Sequence, residues 1–147
     1  VLEPGDIVLL AGELGAGKTT LVQGIGDRLG VGEPMTSPTF TLMRTYDTSP
    51  VIAHVDVWRV EHLHEVLDLG LEEVLEDGGV AVIEWGDVIG PYLGRDSILV
   101  RLTRPTGTVG ENDEDSREIT IEAVSLDPSS PVVARVAELT ASMRVAR

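Results

Sequence analysis

The run Gly12-Glu13-Leu14-Gly15-Ala16-Gly17-Lys18-Thr19 fits G-x-x-x-x-G-K-[ST] at every position. Its chemistry is phosphate binding by the backbone. Glycines let the chain curl so that successive N–H groups point inward at phosphate oxygens. A helix opening at Lys18 adds the positive end of its dipole. Lys18 then bridges the outer phosphates of a nucleoside triphosphate, and the Thr19 hydroxyl ligates Mg2+. The residues expected to line the nucleotide here are Glu13, Leu14, Gly15, Ala16, Gly17, Lys18, Thr19 and Thr20. Of eleven basic residues, Lys18 is the one lysine, and it sits where such a loop needs it.

Hydrolysis of the nucleotide asks for two more groups: an acid near Mg2+ and a group that orients the attacking water. Both belong at the carboxyl ends of strands beside the loop's own strand, where ligands gather in a parallel sheet. Val51-Ile52-Ala53-His54-Val55-Asp56 ends at an aspartate, and Val80-Ala81-Val82-Ile83-Glu84 ends at a glutamate. Asp56 is assigned to the Mg2+ shell through water, and Glu84 to the attacking water. Thr19, Asp56 and Glu84 are thus the expected metal set, and Lys18 and Glu84 the expected catalytic pair. For either acid alone, a strand-end charge facing solvent is the plain alternative.

Thr36-Ser37-Pro38-Thr39-Phe40-Thr41 is rich in hydroxyls and lies between the loop's helix and the next strand. Nucleotide-sensing switch loops occupy that place, with hydroxyls such as those of Thr39 and Thr41 reaching a γ-phosphate. The alternative is an ordinary surface loop. His54 breaks an apolar strand, and a satisfied core or supporting histidine is favoured over a catalytic one. His62 and His64 stand in a polar helix start and read as solvated. Trp85 either packs over the nucleotide or caps the core. Guanine recognition by N-K-x-D would need a second lysine, so ATP is favoured. Asp87-Val88-Ile89-Gly90 matches only the short D-x-x-G.

Around these residues the patterning alternates strands and helices. Ile7–Ala11 reads as a buried strand and Lys18–Leu29 as a helix stopped by Gly30. Leu42–Tyr46, Val51–Trp58 and Val80–Ile83 read as strands, and Asp47–Pro50 as a turn. Glu61–Glu76 is helical with a break near Gly70. Ile98–Leu102 and Ile119–Ala123 alternate as strands, with an acidic exposed loop, Gly107–Ser116, between them. Pro131–Arg147 is a helix that frays at its end. The expected fold is therefore α/β, a mostly parallel sheet flanked by helices with an antiparallel edge hairpin. Residues 1–127 would form the nucleotide-binding domain and residues 128–147 a helical tail.

Composition sets the outer limits. The absence of cysteine excludes disulfides and thiolate metal sites and suggests a reducing compartment, the cytoplasm. No apolar stretch approaches the roughly 18 residues of a membrane span, and no signal peptide is visible. A formal charge of −14 disfavours tight unaided binding to nucleic acid. The chain starts at Val1 rather than Met, almost at the loop's strand, and missing upstream residues are expected.

Four ordered blocks together are more specific than the phosphate loop. They are Gly12-Glu13-Leu14-Gly15-Ala16-Gly17-Lys18-Thr19-Thr20-Leu21, Ser37-Pro38-Thr39-Phe40-Thr41-Leu42, His54-Val55-Asp56-Val57-Trp58-Arg59 and Ile83-Glu84-Trp85. In this order they resemble the bacterial TsaE family, P-loop ATPases that support threonylcarbamoyladenosine modification of tRNA. The resemblance runs from about Gly5 to Ala123. It implies an α/β P-loop domain, a switch at Ser37–Thr41, Mg2+ held by Thr19 and Asp56, and hydrolysis supported by Glu84. It also implies two protein partners, TsaB and TsaD, with tRNA met only indirectly through them and no membrane involved. Two departures stand out. The family usually shows Tyr where this chain has Trp58, which removes a hydroxyl. The family's segment ahead of the loop's strand is almost absent.

A small-molecule or nucleoside kinase is the rival on the same scaffold. Such kinases carry a lid with several arginines, whereas the arginines here are scattered singly. A nucleotide-dependent switch with little catalysis is a third reading, against which the acid pair Asp56 and Glu84 argues.

Overall fold

The structure is a computed structural model that describes residues 2–60, 63–104 and 116–145. Its described residues form a six-stranded sheet in the order β2-β3-β4-β1-β5-β6. The strands are β1 (Ile7–Ala11), β2 (Met43–Tyr46), β3 (Ile52–Asp56), β4 (Val80–Glu84), β5 (Ser97–Thr103) and β6 (Glu118–Val124). The helices are α1 (Lys18–Leu29), α2 (Leu63–Leu67), α3 (Leu71–Glu76) and α4 (Pro131–Val145). β1 runs parallel to β4 and β5, and β3 runs parallel to β4.

The β5–β6 pair is antiparallel, as its lack of an intervening helix predicts. The opposite edge is antiparallel as well: β2 pairs with β3 from Met43↔Val55 to Tyr46↔Ile52. The turn at 47–50 explains this, because so short a connection can only reverse the chain, whereas a parallel crossover needs a dozen residues or more.

β1 is buried on both faces, which is why its sequence is continuously apolar rather than alternating. Val8 and Leu10 pack with Val22 of α1 and with Val132 and Val136 of α4. Ile7 and Leu9 face the other way, toward Val66 of α2 and Leu71 and Leu75 of α3. The helices therefore lie on both faces. The segment expected as a helical tail forms α4, which contributes to the same core as the phosphate-loop strand. Ser130 starts α4 by accepting the Val132 N–H at 3.2 Å, with Pro131 in the first helical position. Arg135 of α4 makes two hydrogen bonds, 2.8 and 2.6 Å, to the buried carboxylate of Asp6 just ahead of β1.

Helical structure between β3 and β4 is interrupted where Gly70 adopts a left-handed φ of 80° and starts α3. β3 is shorter than its apolar run, ending at Asp56 rather than Trp58. The Asp56 carboxylate accepts the Trp58 N–H at 3.0 Å, a local turn that peels the chain off the sheet. His62 and all but Ser116 of the loop expected over 107–116 lie outside the described residues.

Candidate functional site

The loop between β1 and α1 curls through three glycines with positive φ: Gly12 at 143°, Gly15 at 75° and Gly17 at 105°. α1 then opens at Lys18 with no side-chain cap and no acidic residue in its first turn. The first backbone N–H groups of this three-turn helix therefore have no side-chain cap from within the loop. Lys18 is 5% exposed. Its Nζ donates to the carbonyls of Gly12 at 2.8 Å and Glu13 at 3.0 Å, and lies 3.5 Å from the centre of the Trp85 ring. Burial pushes the Lys18 ammonium below the ordinary lysine value, while the carboxylates of Glu84, Asp56 and Asp87 act the other way.

The two strand-end acids meet in the same place. Asp56 and Glu84 are register partners at the carboxyl ends of β3 and β4. Both are buried, at 4% and 3% exposure. The Thr19 hydroxyl lies 3.0 Å from each oxygen of Glu84 and donates to the carboxylate. Behind it, His54 Nε2 is 2.9 Å from Glu84 Oε1. Asp56 Oδ2 accepts the hydroxyls of Ser37 at 2.5 Å and Thr39 at 2.9 Å, so the Ser/Thr-rich loop is tied to this acid.

A cavity of about 470 Å³ joins these groups. Leu14, Gly15, Gly17, Lys18, Thr19, Thr20, Thr39, Asp56 and Glu84 line it, as do Ser37, Trp58, Arg59 and Trp85. Three residues expected at the nucleotide do not. Glu13 stands outside, offering its carbonyl to Lys18. Ala16 is turned into the core at 2% exposure. Thr41 is turned away because its N–H and that of Leu42 both bond to the Pro38 carbonyl, closing a tight turn. Asp87 lies beyond the lining, in one of two short 3-10 turns that follow β4.

Trp58, Arg59 and Arg117 take places that the sequence did not assign, and Trp85 takes one that it left open. Trp58 and Trp85 pack with ring centres 4.3 Å apart and planes tilted by 42°, and Trp85 takes a left-handed φ of 61°. Trp85 covers Lys18 and packs against the core around Leu9 and Ile83. Arg59 sits over the exposed ring of Phe40 at 5.4 Å. Arg117, at the start of β6, donates from Nε to the Ala16 carbonyl at 3.3 Å and props the phosphate loop from outside. The W-R pair and I-E-W block were visible as motifs, but nothing local marks Arg117.

These residues suit a triphosphate with a hard divalent cation. The lining offers the hydroxyls of Thr19, Thr20, Ser37 and Thr39 and the carboxylates of Asp56 and Glu84, oxygen donors of the kind that Mg2+ takes alongside its retained waters. The uncapped helix start and buried ammonium suit phosphate oxygens.

The family model for threonylcarbamoyl adenosine biosynthesis protein TsaE matches residues 1–115. The tRNA threonylcarbamoyladenosine biosynthesis protein TsaE of Streptomyces coelicolor is 41% identical over 125 residues, covering 82% of this chain and 82% of that protein. The protein of the same description from Bacillus subtilis is 37% identical over 123 residues, covering 83% of this chain and 72% of its own. The crystal structure of Bacillus subtilis YdiB superposes with a TM-score of 0.67 at 28% identity, covering 97% of this chain and 81% of that one.

Proposed function

Because the chain belongs to the TsaE family of tRNA threonylcarbamoyladenosine biosynthesis proteins, we propose that it is a Mg2+-dependent ATPase that serves a TsaB–TsaD complex in that modification. The observation that carries this reading is the meeting of Asp56 and Glu84, in register on neighbouring strands, with Thr19 and Lys18 of the phosphate loop. A bare phosphate-binding loop would need neither acid.

In this reading Lys18 and the start of α1 hold the outer phosphates, and Thr19 with Asp56 holds the cation. Bound Mg2+ would neutralise charge that builds on the transferred phosphoryl group. Glu84 orients the attacking water and accepts its proton, a role worth about 10²–10⁴ in rate. The carboxylate is well supported for this by Thr19 and His54. The site is a cleft closed partly by loops, so turnover that is slow alone and rises with the partner complex fits it. With a net charge of −14 the chain would meet protein more readily than tRNA, which it would serve only indirectly. A cytoplasmic setting follows from the same role. Among the described residues no helix is long and apolar enough to cross a membrane.

The test is repeated-turnover threonylcarbamoylation of tRNA with TsaB, TsaD and the threonylcarbamoyl donor, with this protein present, absent or carrying Lys18→Ala. Modification beyond one round should require the intact protein and ATP. Equal modification without the protein overturns the tRNA role, and equal modification with Lys18→Ala overturns the role of the phosphate loop.

A further inference from the structure

We infer that His54 is a positioning residue for Glu84: its Nε2–H fixes the carboxylate in the orientation that faces Thr19 and the cleft. The inference rests on the proposed ATPase reading and adds to it a residue with no contact to the cleft itself.

His54 is fully buried, at 0% exposure, on a strand with neighbours on both sides. Ile52, His54 and Asp56 alternate onto one face of β3. That face is apolar at Ile52, which packs in the core, and acidic at Asp56, which lines the cavity. His54 stands at the change. Across the sheet its register partner is Val82, two residues before Glu84 on the same face of β4. The ring therefore lies behind the glutamate, and its Nε2 reaches Oε1 at 2.9 Å. The cavity lining includes Glu84 but not His54.

The other ring nitrogen identifies the donor. His54 Nδ1 is buried with no hydrogen-bond partner among the described residues. A proton on Nδ1 would be an unsatisfied buried donor and would leave the Nε2 lone pair facing carboxylate lone pairs. Placing the proton on Nε2 removes both penalties and makes a hydrogen bond to an acid, the stronger kind. Glu84 has three side-chain torsions to order. Thr19 approaches both of its oxygens equally, at 3.0 Å each, so that contact does not distinguish Oε1 from Oε2. His54 does. Its contact to Oε1 leaves Oε2 with Thr19 as its one side-chain partner among the described residues.

The experiment has a spectroscopic arm and a kinetic arm. Long-range 1H–15N spectra of the unliganded chain should show His54 protonated on Nε2, with a slowly exchanging proton that Glu84→Ala makes fast-exchanging. A ring protonated on Nδ1, or an Nε2 proton indifferent to Glu84→Ala, overturns the inference. In the kinetic arm, single-turnover ATP hydrolysis is measured with the partner complex. His54→Leu, which fills similar space without a donor, should lower the rate about 10–100-fold. Affinity for a non-hydrolysable ATP analogue should stay within about twofold. His54→Gln, which can place an amide N–H near the Nε2 position, should recover to within about threefold of the unsubstituted protein. In a Glu84→Ala background, His54→Leu should cost nothing further. A further loss of the same size there shows the ring acting independently of Glu84 and overturns the inference, as does an unimpaired His54→Leu. The spectroscopic arm needs no change at position 54, so a misfolded His54→Leu does not shield the idea. Absence of hydrolysis by the unsubstituted protein with its partners would remove the ATPase reading, while the Nε2–H assignment would still stand or fall on the spectra.

Discussion

Replacing Gly12 by Ala tests whether the phosphate loop is held in shape by close backbone contact. Gly12 has φ 143°, a conformation that costs a residue with a Cβ about 1–2 kcal/mol. An added Cβ would also lie 2.4 Å from the Leu102 carbonyl oxygen, a backbone atom of β5. An ordinary contact of this kind is about 3.4 Å, so one backbone must move by about 1 Å. β5 is hydrogen-bonded on both sides, which leaves the loop to yield. Overpacking of this kind adds about 1–3 kcal/mol, so the total is about 2–5 kcal/mol. For a chain of this size, that lowers Tm by roughly 5–15 °C. A loop displaced by 1 Å should bind nucleotide about 10–100-fold more weakly, since phosphate recognition depends on several N–H groups aimed together. Calorimetric unfolding and titration with an ATP analogue in Mg2+ read the two effects. Gly24→Ala is the control: Gly24 sits in α1 with ordinary φ and open space around it, so it should raise stability by about 0.5–1 kcal/mol and leave affinity unchanged. A Gly12→Ala protein with undiminished Tm and affinity, or a Gly24→Ala protein damaged as much, would refute the reasoning.

Two further outcomes concern the C-terminal helix. Arg135→Ala should destabilise the fold by about 2–4 kcal/mol, because it strands the Asp6 carboxylate, 6% exposed, without its bidentate partner. Denaturant unfolding reads this, and Arg135→Ala with Asp6→Asn should recover part of the loss. Acid should loosen the start of α4. Hydrogen bonds from Ser125 and Ser130 hold the Asp96 carboxyl below its ordinary value, and Ser129 does the same for Asp127. Depressed folded-state values mean that the stabilisation is complete above about pH 4 and is lost as pH falls through the lower folded values. Amide exchange in α4 should therefore rise in that acid range while exchange in β1 lags behind it.

Much of the fold was legible because its signals are local. The continuous apolar run of β1, the glycines of the loop and the Gly30 stop of α1 each declare a backbone conformation within a few residues. The β2 edge was legible in principle, since the short turn at 47–50 forbids a parallel return. The site divides differently. Its acids stand at strand ends and could be named from their positions, but their pairing depends on register between β3 and β4, which no single strand encodes. The same holds for His54 and Glu84, thirty positions apart. Arg117 reaches Ala16 across 101 positions, and an arginine at the start of an edge strand has no feature that announces such a contact. Thr41 stands outside the cavity lining for a local reason: one hydroxyl in a Ser/Thr-rich loop looks like the next until a turn at Pro38 separates them.

The tie between Asp56 and the loop at Ser37 and Thr39 makes that loop a competitor. Asp56 Oδ2 holds two hydroxyls and Oδ1 holds the Trp58 N–H, so both oxygens already have protein donors. Any cation drawing on Oδ2 bargains with the loop for the same lone pairs. By reciprocity, whatever factor the loop's grip subtracts from cation affinity, the cation subtracts from the grip. If Asp56 holds the cation as proposed, one carboxylate makes ion occupancy and loop freedom a single variable, legible from either end.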